Sequence, residues 1–79
     1  MSRSMIFTAR AEALAASALP ASVAVDRANI DAAIEQAIRL YGVQGCAAAV
    51  AYEYGERPDL AADRMRWALR TISELYGRR

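Results

Sequence analysis

Residues 50–70 read VAYEYGERPDLAADRMRWALR. An alanine- and tyrosine-rich helix ends at the Gly55-Glu56-Arg57 corner, and a new one opens at Pro58. Proline suits a first helical turn, where its missing amide donor would have no partner anyway. From Pro58 the apolar positions Ala61, Met65, Ala68, Leu69, Ile72, Leu75 and Tyr76 recur at steps of three and four. Such spacing lays them on one face of a helix running to about Tyr76. Gly77 follows as a stop. Trp67 falls off this stripe, about 140° from its centre at the 100° turn of each residue.

Working back towards the N-terminus, Val43, Ala47, Val50 and Tyr54 line one side of a helix over 43–54, flanked by Cys46 and Ala51. Gly42 separates it from a helix over 27–41 whose apolar face is Ile30, Ile34, Ala37, Ile38 and Tyr41. Asp26 or Asn29 can cap that helix, because a short side-chain oxygen accepts from free backbone amides. Residues 20–26, PASVAVD, form a linker. Before it, 5–19 has helical composition and Pro20 ends it. Residues 1–4 are expected to be loose. The fold expected is all-α, a small bundle of three to four helices (about 5–19, 27–41, 43–54 and 58–76), the last the longest. It occupies one domain over 1–79.

Composition narrows the chemistry. The chain has 79 residues, 56% hydrophobic, and 19 of them are alanine. A chain this short buries a modest core, and alanine adds little area to it. Its ten basic residues are all arginine, against nine acids, for a net charge of +1. That balance sets up no strong field towards nucleic acid or an anionic membrane. Without histidine there is no Ser-His or Cys-His pair, and without lysine no Schiff base. One cysteine, Cys46, makes neither a disulfide framework nor a cysteine zinc site. It reads as a small buried residue among alanines. Glu56, Asp59 and Asp63 are interleaved with arginines, as on a solvated helix face, and suggest no metal site. No enzyme activity, cofactor or metal is expected. No apolar run approaches the roughly 20 residues of a membrane span. The N-terminal stretch to Ala24 imitates a secretory signal, but Arg10 and Glu12 interrupt its apolar part, so a cytoplasmic location is expected.

Residues 47–66 look like a helix-turn-helix. Ala51, Gly55 and Pro58 fall where that motif places its packed alanine, its turn glycine and the start of its recognition helix. The resemblance implies binding to DNA. Glu56 and Arg64 depart from it, standing where apolar residues are usual. Asp59 and Asp63 would also face phosphate, which basic contacts must grip.

Protein recognition is the leading expectation, because tryptophan and arginine concentrate at interface hot spots. The surface it names is Leu60, Arg64, Arg66, Trp67 and Arg70. The alternative for the ring is that the 5–19 helix folds back and covers it. Ala48, Ala49 and Tyr52 form a second expected surface, for self-association, since small residues let helices approach closely.

Overall fold

The structure is a computed structural model that describes residues 3–77, with side chains from Met5 onward. Three helices pack against one another: α1 (Arg3–Ala16), α2 (Arg27–Glu56) and α3 (Pro58–Tyr76). The all-α expectation holds. The looseness expected of 1–4 falls partly outside the described residues; Arg3 and Ser4 already belong to α1.

Several boundaries differ for local reasons. α1 stops at Ala16 rather than 19. There the Ser17 hydroxyl donates to the Leu14 carbonyl at 2.7 Å and accepts from the Leu19 amide at 3.3 Å. A serine offering the backbone such bonds competes with the helix ladder. α2 begins as expected, its first amides at Ala28 and Asn29 donating to the Asp26 carboxylate. The break expected at Gly42 is there: its backbone is non-helical and kinks α2, whose two arms together span 30 residues and exceed α3 in length. Gly42 has φ 75° and ψ 166°, backbone that is essentially restricted to glycine. The corner before α3 shrinks from three residues to one. Gly55 and Glu56 stay helical, the Arg57 amide donates to the Glu53 carbonyl at 2.7 Å, and Arg57 alone is non-helical, as befits a residue before proline. Gly77, at φ 74°, closes α3.

One core joins Ala11, Ala13 and Leu14 of α1, Ile30, Ile34, Ala37 and Cys46 of α2, and Trp67, Ala68 and Ile72 of α3. Beyond the kink the buried position is Cys46, while Val43 and Tyr54 of the expected stripe are exposed and Ala47 and Val50 half-buried. On α3 the stripe holds at Ala61, Ala68 and Ile72, but Leu69 is exposed.

The far end of the bundle is fastened around Tyr76. Its ring meets the guanidiniums of Arg10, at 4.0 Å from the ring centre, and Arg27, at 4.6 Å, and its hydroxyl donates to Asp31. Arg27 also donates to the Leu75 carbonyl at 3.2 Å. Cations over a ring face are attracted by its quadrupole, so one aromatic ties the C-terminal end of α3 to both other helices.

Candidate functional site

Trp67 does not face outward. It is 8% exposed and belongs to the core, so the ring expected to meet a partner is covered within the monomer, with α1 contributing to the same core. Arg64 explains how. Its Nε donates to the Ala15 carbonyl at 3.0 Å, and one terminal nitrogen donates to Leu14 at 3.3 Å and Ser17 at 3.0 Å. Its guanidinium carbon also sits 4.4 Å from the Trp67 ring centre. The last carbonyls of a helix have no intrahelical donor and carry partial negative charge. A forked cation is suited to meet several of them at once. Burial pulls the Arg64 pKa down from its ordinary value, yet a guanidinium stays protonated in proteins. Arg64 is thus a clamp that docks α1 onto α3 with the indole beneath it.

The rest of the expected surface divides. Arg66 is exposed and paired with Asp63; Arg70 is exposed. Leu60 is 65% exposed and lines a groove of about 520 Å³ together with Arg64. The groove's floor is made of small residues, Ala15 and Ala16 from α1, Ala49 from α2 and Ala61 from α3. Tyr52, 64% exposed, and Leu60 stand at its sides, and Glu53 and Arg57 line it, bridged to each other at 2.9 Å. Of the expected self-association face, Ala49 and Tyr52 belong to this groove and Ala48 does not. The two expected surfaces therefore meet at one place. Val50 and Arg57 also line it and were not anticipated. Val50, expected on the core stripe of the 43–54 helix, is half-buried and borders the groove.

The helix-turn-helix features are not formed. Gly55 lacks positive φ, and Ala51, which the motif would pack between its helices, is exposed. Arg78 and Arg79, part of the basic C-terminal end, lie outside the described residues.

Cys46 is 1% exposed and its thiol donates to the Ala37 carbonyl at 3.6 Å, spanning the kink. Burial, and secondarily the Glu12 carboxylate, push its pKa up. The thiolate is the reactive form, so this cysteine is inert in the folded state. Native protein at pH 8 should react with a disulfide reagent on the order of 100-fold more slowly than urea-unfolded protein, the rate following local opening. The sign of the shift also sets a pH dependence. The thiol's contribution is full below the ordinary thiol pKa of about 8.5 and is lost as pH rises towards the higher folded value. Labelling complete within minutes on the native protein would contradict this reading.

Among the described residues no group of three or more acidic, cysteine or histidine side chains is placed to hold a metal, and no helix is long and apolar enough to cross a membrane. Comparison with known proteins finds no matching family model, curated protein or solved structure.

Proposed function

We propose that the protein is a non-enzymatic helical protein-binding module, of the kind that serves as a regulator, adaptor or stoichiometric inhibitor. Its contact surface is the groove bordered by Tyr52 and Leu60, with Ala49 on its floor. The observation that carries this is the unbroken exposure of residues 51–60, which include Tyr52 and Leu60 of the groove lining. Single exposed apolar residues are ordinary, but a cluster of them around a concave apolar floor is a common mark of an interaction site. The proposed surface is thus displaced from Trp67 and Arg70 towards the α2–α3 corner, keeping Leu60 from the sequence-based one.

Leu60→Glu is the variant that tests it. The side chain is mostly solvated, so the fold should change by no more than about 0.5 kcal/mol. A carboxylate at the mouth of an apolar groove should weaken protein capture by about tenfold or more. Affinity capture from a cell lysate, with this variant as the control bait, reads the effect directly. Equal recovery by both baits would remove the groove as the docking surface. DNA binding is the competing class. It predicts duplex affinity falling steeply with salt, and the geometry of residues 47–66 lends it no support.

A further inference from the structure

The groove's occupant can be named from its own lining, an inference that rests on reading it as a docking surface. We infer that a second copy of this chain fills it, in a two-fold dimer where Tyr52 and Leu60 of each copy seat on the alanine floor of the other.

Three observations converge on a second copy. The first is shape. A two-fold interface uses the same patch on both subunits, so that patch must carry both projections and the hollow that receives them. Here Tyr52 and Leu60 project beside a floor of Ala15, Ala16, Ala49 and Ala61. An unrelated partner would need only one of the two features to be present.

The second is charge. Glu53 and Arg57 lie one turn apart and both line the groove. A half-turn about an axis passing between them brings the acid of one copy opposite the base of the other. The pair itself is neutral and adds no net charge to the patch. The other base in the lining, Arg64, is already engaged by the carbonyls of Leu14, Ala15 and Ser17.

The third is the small core. The bulkiest fully buried side chains are only Leu14, Ile30, Ile72 and Cys46. Domains of this size commonly gain from oligomerisation what their cores lack.

Light scattering on a sizing column, and sedimentation from about 1 to 100 µM, test the proposal on the full chain. The wild type should be dimeric at the upper concentrations, and its melting temperature should rise with concentration. Glu53→Arg and Arg57→Glu should each weaken the dimer by about tenfold or more, since each sets like charges face to face. The double swap, Glu53→Arg with Arg57→Glu, should restore it to within about threefold, because the half-turn pairs acid with base again. Leu60→Glu should be monomeric with an unchanged helical circular dichroism spectrum. A monomer at every concentration overturns the inference, and so does a dimer indifferent to these variants. If the wild type is monomeric but Leu60→Glu still loses a captured protein, the docking reading stands and only the second copy fails. If the wild type is monomeric and capture is also indifferent to Leu60→Glu, both fail.

Discussion

Trp67→Ala should destabilise the protein by about 3–5 kcal/mol, the usual cost of deleting a large buried aromatic. The ring is 8% exposed and joins a core with contributions from all three helices. Native domains hold about 0.05–0.15 kcal/mol per residue. Seventy-nine residues therefore hold roughly 4–12 kcal/mol. The variant loses from about a quarter of that margin to all of it. In a domain this small each kcal/mol moves the melting temperature by about 4–8 °C, so a fall of at least ~12 °C is expected. The same burial predicts a blue-shifted emission maximum for the wild-type tryptophan, moving to the red in urea. An unchanged melting temperature together with red-shifted native emission would mean that the ring is wet, and the outward recognition surface first read from the sequence would return. This variant is consequently unsuitable as a binding control, whereas one at the solvated Leu60 is suitable.

The helices were legible because their signals are local. Pro20, Asp26, Gly42, Pro58 and Gly77 each act on the backbone within a few residues, and each marks or lies near a boundary, cap or kink that the structure shows. What a helical wheel could not supply is how many neighbours a helix has. It assumes one buried face. α3 packs on both α1 and α2, which widens its buried arc until Trp67 and Thr71 fall inside it. Nor could a wheel say which side of the stretch after Gly42 meets a neighbour: there Cys46 is buried, Val43 and Tyr54 are exposed, and Val50 borders the groove. The candidate groove was legible only in pieces, as Leu60 and Arg64 in one set and Ala49 and Tyr52 in another. Its floor joins residues 15 and 16 to 49 and 61, a separation over which no periodic pattern speaks.

Arg64→Ala should be the next most damaging change, at about 2–3 kcal/mol, although arginine on a helix's polar side is ordinarily among the least consequential residues. Surface arginines contribute little because water solvates them equally well when the protein unfolds. Arg64 differs in what it faces. Its donors meet the carbonyls of Leu14, Ala15 and Ser17, and its plane covers the Trp67 ring. A bond from a charged donor contributes about 1.5–3 kcal/mol. The site is only half-buried, so water can replace part of what is removed, which keeps the figure below the sum of its contacts. The ring contact should appear as a coupling of about 0.5–2 kcal/mol in a cycle with Trp67→Phe. Arg64→Lys should recover less than half of the stability, because one ammonium cannot reach three carbonyls and stack on a ring as the planar fork does. Urea unfolding reads this as a lower midpoint, and the slope separates two outcomes. An unchanged slope means that the clamp only adds stability. A shallower slope means that α1 has come off before the rest unfolds, which is the expected result if Arg64 is what holds the end of α1 in place. If Arg64→Lys matched the wild type, a point charge would suffice, and the forked contact to the end of α1 would not be what seats that helix over the indole.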